Sequence, residues 1–154
     1  MIEYRKATTN DINDLAKIRC IFLAEQHDNY PKAESEMLET ANKAYFEANL
    51  ADDSFIAWVA VAGDKIVGTS GLSFYHVPPN NSSPDGRVAY IMNMYTFPEY
   101  RKQGIAATLF NRIVEEAKIR GYKKIVLNAT DMGKSLYEKY GFTHIKGDME
   151  YLCK

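Results

Sequence analysis

The sequence predicts a mixed α/β fold built around one mostly antiparallel sheet, and three observations carry that reading. Segments rich in β-branched and aromatic residues follow one another at 55–62, 65–75 and 88–95, separated by a tight turn and a polar loop. The last of them runs through Thr96-Phe-Pro-Glu-Tyr100 and Arg101-Lys-Gln-Gly104 into a helical pattern. There Ile105, Leu109 and Ile113, with Ala106, Phe110, Val114 and Ala117, form one apolar stripe at three- and four-residue spacing. A buried-type strand, Lys124 to Ala129, comes after that helix, and a helical crossover returns a strand parallel to its predecessor.

Taken in order, Ile2 to Lys6 reads as a short strand. Thr9-Asn10-Asp11 starts a helix that places Ile12, Leu15, Ala16, Ile18, Arg19, Phe22 and Leu23 on one face. His27-Asp28-Asn29-Tyr30-Pro31 interrupts it, and a second helix is expected from Glu34 to Leu50, striped by Met37, Leu38, Ala41, Ala44, Tyr45 and Ala48. Phe55 to Ala62 and Lys65 to Tyr75 form a hairpin about Gly63-Asp64. His76 to Gly86, with three prolines and several polar residues, is expected to be a mobile loop. Gly121 ends the third helix as a C-terminal cap. Thr130 to Lys139 is the fourth helix, capped by Gly141, and Thr143 to Ile145 with Met149 to Leu152 should close the sheet as a terminal hairpin. The whole is six to seven strands flanked by four helices, in one domain spanning residues 1–154.

With 154 residues the chain can bury a single sizeable core. A net charge of −1 gives no general attraction to nucleic acid or anionic membrane, and the longest apolar run, Ile56 to Ala62, is too short to span a bilayer. Charge is nonetheless unevenly placed. Residues 25–53 carry a net of −6, and residues 99–124 a net of +4. Two cysteines, Cys20 and Cys153, without metal-ligand or CxxC spacing, fit a reduced, cytoplasmic setting and no metal. Gly63 to Ser70 reads as a near-miss of a P-loop, but Thr69 stands where the lysine belongs and a strand follows, so it is rejected.

The start of the third helix is the chemically informative stretch. Gly104 removes a side chain where backbone must approach a ligand, and the unpaired N–H groups of residues 103–106 point outward at the positive end of the helix dipole. That is an anion site, to which Arg101 and Lys102 add full charges and which suits a pyrophosphate.

The run Asn93-Met-Tyr-Thr-Phe-Pro-Glu-Tyr-Arg-Lys-Gln-Gly-Ile-Ala106, followed at Leu136 by Leu-Tyr-Glu-Lys-Tyr-Gly-Phe142, resembles the GCN5-related N-acetyltransferase (GNAT) family. The resemblance covers nearly the whole chain and implies the acyl-CoA N-acyltransferase fold, in which the central strand and the following parallel strand splay apart to admit the pantetheine arm of acetyl-CoA. It implies that Met94, Tyr95 and Thr96 bond that arm. Arg101, Lys102, Gln103, Gly104, Ile105 and Ala106 would hold the pyrophosphate, with Asn128, Ser135 and Tyr137 completing the cofactor contacts. Tyr137 takes the family's general-acid position and the Met94 N–H its oxyanion donor. The positions where some members carry a glutamate or histidines as general base on the central strand are Tyr90 and Met92 here, and neither is a base at neutral pH. That leaves a water chain through Asn93, or His27 or His76 brought in by a loop.

What the resemblance implies is transfer of acetyl from acetyl-CoA to a primary amine on a small molecule. A homodimer is left open, and a non-catalytic CoA-binding module of the same fold is the alternative. The acidic 25–53 segment, bordering the acceptor side in that family, suggests a cationic acceptor.

Overall fold

The computed structural model describes residues 1–26 and 32–153. Five strands form one sheet in the order β1 (Ile2–Lys6), β2 (Phe55–Ala62), β3 (Lys65–His76), β4 (Arg87–Thr96) and β5 (Lys124–Leu127). The first three pairings are antiparallel and the last, β4 with β5, is parallel, as the intervening helix requires. Two helices, α1 (Ile12–Gln26) and α2 (Lys32–Asn49), precede β2; α3 (Ile105–Ile119) joins β4 to β5, and α4 (Lys134–Tyr140) follows β5.

Strand alternation builds two cores. Phe55, Ala57 and Val59 of β2 pack with Leu15, Ala16 and Ile18 of α1 and with Phe46 and Leu50 at the end of α2. Ile56 of β2, Leu72 of β3 and Ala89 and Ile91 of β4 face the other way, onto Phe110, Ile113, Val114 and Ala117 of α3. The entry to α1 is fixed by a capping box in which Thr8 N–H donates to Asp11 at 2.7 Å while Arg5 donates to both carboxylate oxygens at 2.8 and 2.9 Å.

The β3–β4 register slips between Thr69 and Gly71, opposite Asn93, a non-glycine residue at φ +55°. This bulge is pinned from within, because the Thr69 hydroxyl donates to the Asn93 carbonyl at 2.8 Å. It turns successive side chains of β4 out of strict alternation: Met92 packs on the α1/α2 core and Met94 on the α3 core, with Asn93 buried between them.

The strand count, the terminal hairpin and the bounds of the fourth helix and of β5 are corrected. The sheet has five strands among the described residues, and no terminal hairpin forms over 143–153. Ile145, Met149, Tyr151 and Leu152 are largely exposed, so no buried face holds a register there, and Gly147 at φ +106° interrupts the extended run. The fourth helix begins at Lys134 because Thr130 organises a preceding turn, its carbonyl accepting from Gly133 and Lys134 and its hydroxyl from Gly133. The same polar segment stops β5 at Leu127. The 77–86 loop carries a braced turn: Asn80 and Ser83 exchange backbone hydrogen bonds, and Val77 N–H donates to the Gly86 carbonyl at 2.8 Å.

Candidate active site

Strands β4 and β5 are paired only from Val88↔Lys124 to Ile91↔Leu127. Beyond Ile91, β4 continues for five residues, Met92 to Thr96, with no strand on that side, because β5 has ended. A row of backbone donors and acceptors is thereby left open to an extended ligand, which is the geometry of strand addition. A cleft of about 400 Å³ lies along it, lined by Met94, Tyr95 and Thr96 on one wall, Gly104 to Ala107 at one end, and Met132 and Tyr137 opposite.

The end wall explains the glycine. Lys102 lies at φ +61° and Gly104 at φ +80°, so the chain turns twice through the left-handed region before α3 begins at Ile105. A Cβ on Gly104 would meet nothing within 4 Å and would project into this open space. The first N–H groups of α3 thus face a cradle that only the absence of a side chain keeps clear, and the residues present fit a phosphate-bearing ligand.

Arg101 is already engaged. Its Nε donates to the Thr96 carbonyl at 2.8 Å, its Nη2 lies 3.3 Å from Glu25 Oε2, and its guanidinium stands 5.6 Å from the Tyr95 ring centre. Tyr95 donates its hydroxyl to Glu25 Oε1 at 2.7 Å, and burial first, then this bond, push its pKa up to about 12. Glu25, at the end of α1, therefore belongs to the Arg101 end of the cleft rather than to a separate acidic rim. Lys102 also lines the cleft, whereas the Gln103 side chain folds back to the Glu99 carbonyl at 3.3 Å.

Tyr137 is 7% exposed, and burial raises its pKa above the ordinary phenol value. Its ring sits 5.0 Å from that of Phe110 and lies so tightly over Gly133 that a Cβ there would stand 2.8 Å from the ring and the hydroxyl. It lines both the cleft and a second cavity of about 520 Å³ bordered by Tyr90, Asn128, Glu138 and His144. Asn128 faces this second cavity, donating to the Tyr90 hydroxyl at 3.2 Å, and Ser135 is exposed and lines neither. His76 is not brought in. It is exposed and pairs with Arg87 at the opposite end of β4, seven residues from Met94, roughly 23 Å at strand rise. His27 lies outside the described residues. His144 pairs with Glu138 at 2.8 Å on the rim of the second cavity.

One contact escaped sequence reasoning altogether. Arg19 of α1 donates through Nη1 to Asn93 Oδ1 at the bulge, 74 residues away in sequence. Burial pulls its pKa below the usual guanidinium value, and the groups that oppose this are Cys20, Tyr90 and Tyr45. The available signal was a charged residue on the apolar stripe of the first helix.

An open strand edge leading into a glycine-cleared helix N-terminus, faced by a buried phenol, is the arrangement of an acyl-CoA N-acyltransferase fold. The structure superposes at TM-score 0.89 on a predicted acetyltransferase from Clostridium acetobutylicum solved with acetyl-CoA, 34% identical, over 99% of this chain and 96% of that one. A GCN5-related N-acetyltransferase from Ralstonia eutropha JMP134 matches at TM-score 0.88 and 27% identity, over 99% of each chain. Residues 16–142 match the model of the acetyltransferase (GNAT) family, and the chain belongs to that family. Among curated proteins, the uncharacterized N-acetyltransferase YsnE of Bacillus subtilis (strain 168) is 28% identical over 99 residues, 61% of this chain and 60% of that protein. The chain spans between 31% and 60% of the length of these curated relatives.

Proposed function

We propose that residues 1–154 form one catalytic domain that transfers acetyl directly from acetyl-CoA to a primary amine on a small molecule. The observation that carries this is the unpaired β4 edge ending in the Gly104 cradle, with the Tyr137 hydroxyl on the far wall. In this reading the backbone of Met94 to Thr96 takes the pantetheine arm as an added strand, and residues 101–106 take the pyrophosphate. Met94 N–H stabilises negative charge developing on the thioester oxygen.

The amine nitrogen bonds to the acetyl carbon, the carbon–sulfur bond breaks, and sulfur keeps the electron pair. The incoming ammonium first loses one proton to give the neutral amine, and the nitrogen loses a second once it is bonded to the acetyl carbon. Tyr137 donates its proton to sulfur and is reprotonated from solvent, so with two protons leaving nitrogen and one taken up, one is released per turnover. A raised pKa suits the role, because the phenol is fully protonated at neutral pH. With His76 remote, the ammonium proton leaves through water.

Support for a cationic acceptor is weaker than the charge of residues 25–53 suggested, because Glu25 is neutralised by Arg101. No helix among the described residues is long and apolar enough to cross a membrane, and both cysteines are free, as a reduced, cytoplasmic setting would have them. The test is release of free thiol from acetyl-CoA across an amine panel, with Tyr137→Phe beside the wild type. Turnover that falls by roughly 10²–10⁴ with donor binding retained supports the mechanism. Unchanged turnover removes Tyr137 from it, and no thiol with any amine favours the non-catalytic CoA-binding alternative.

A further inference from the structure

The Arg19 side chain is more than the bulge requires. A guanidinium has five N–H donors, and one of them, on Nη1, bonds to Asn93. Arg5, Arg101 and Arg120 each pair with a carboxylate, but among the described residues none pairs with Arg19. A half-buried cation without a counter-ion is costly, and its planar fork matches a carboxylate two bonds at a time.

Its place is equally specific. Asn93 immediately precedes Met94, whose N–H would face the thioester oxygen, so the guanidinium is bonded to the neighbour of the proposed oxyanion donor. An amine whose nitrogen reaches the acetyl carbon held at Met94 brings the rest of its skeleton close to Asn93, and so to the guanidinium bonded to Asn93.

Resting on the transferase reading above, we infer that Arg19 is the carboxylate subsite of the acceptor, so that the preferred substrate is an amino acid or another amine bearing its own carboxylate. A cationic tail would be repelled there. Asn93 sets one edge of the guanidinium, and the bound acid takes the free edge.

The experiment compares amino acids, α- and ω-, with their own amides in the thiol-release assay, for wild type, Arg19→Gln and Arg19→Lys. In the wild type each good acid exceeds its amide at least tenfold in kcat/KM, the difference residing in KM and shrinking with salt. Arg19→Gln brings the ratio close to one through KM, and Arg19→Lys restores part of it. If Arg19 only holds the bulge, Arg19→Gln lowers kcat for acid and amide alike with their ratio intact, and the inference is overturned. It is equally overturned if the wild type does not discriminate.

A second measurement does not depend on turnover. With CoA present, N-acetylated acids should raise the melting temperature of the wild type but not of Arg19→Gln, and N-acetylated amides should raise neither. Stabilisation by acids without any thiol release would sink the transferase reading and leave the subsite standing. Absence of stabilisation by any acid sinks the subsite.

Discussion

Gly104 lets backbone strain and ligand binding be separated in one pair of variants. At φ +80° an L residue pays about 1–2 kcal/mol for the left-handed conformation, and nothing within 4 Å of its Cβ adds a clash. For a chain of this size each kcal/mol moves the melting temperature by about 2–4 °C, so unliganded Gly104→Ala and Gly104→Glu should both melt roughly 2–8 °C below the wild type. Acetyl-CoA at a hundred times its dissociation constant adds about 2.7 kcal/mol, an upward shift of roughly 5–11 °C in the wild type. Gly104→Ala should keep part of that shift, since a methyl only crowds the cradle. Gly104→Glu should lose it, because a carboxylate then occupies the place of the phosphate. Differential scanning fluorimetry with and without acetyl-CoA reads both quantities. An undiminished ligand shift in Gly104→Glu would show that the phosphates bind elsewhere, and an unchanged unliganded melt in Gly104→Ala would show that the turn relaxes without strain.

Other outcomes follow from single contacts. Gly133→Ala puts a methyl 2.8 Å from the Tyr137 ring, so it should lower the rate of thiol release while leaving the acetyl-CoA melting shift intact; equal kcat would mean that the ring has room to slide. Phe110→Ala, emptying a fully buried site against Tyr137 and Phe142, should cost about 3–5 kcal/mol in urea unfolding, and a loss below 1 kcal/mol would contradict the packing described. Tyr95, with a pKa raised to about 12, stabilises the fold fully below the ordinary phenol value near 10. That contribution is lost as pH rises through 12, so Tyr95→Phe should delete a phenolate absorbance step near 12 rather than near 10. Arg5 and the Thr8 N–H hold the Asp11 carboxyl below its ordinary value, so its contribution is present above about pH 3.9 and lost as pH falls below it; Asp11→Asn should flatten that part of the acid unfolding curve.

Local signals carried the fold. The α3 stripe, the Gly63-Asp64 hairpin and the apolar β4 are patterns within ten or fifteen residues, and their pairing follows from chain order and handedness. The proposed anion cradle rests on the same kind of local signal, since the glycine and the helix start are adjacent. The terminal hairpin was not, because an apolar alternation states a preference for an extended chain without showing that a face exists to bury it. Nor could spacing reveal that Arg19 meets Asn93 or that Glu25 meets Arg101 and Tyr95. Each of those contacts joins residues 70 or more positions apart, and each depends on how α1 lies across the end of β4.

Glu25 sets a threshold for what can settle at the mouth of α3. It is a tethered anion already resting against Arg101, and a free ion must displace it to reach that guanidinium. An exposed pair of this kind is worth about 0–1 kcal/mol, a sizeable part of what chloride or a single phosphate gains at a helix end, and a small part of what a ligand gains when it also threads an arm along β4. The arrangement therefore discriminates by number of attachments rather than by charge. On the proposed binding mode, small anions in the surrounding solution would be held off by the protein's own carboxylate, and a long ligand anchored along the strand would override it.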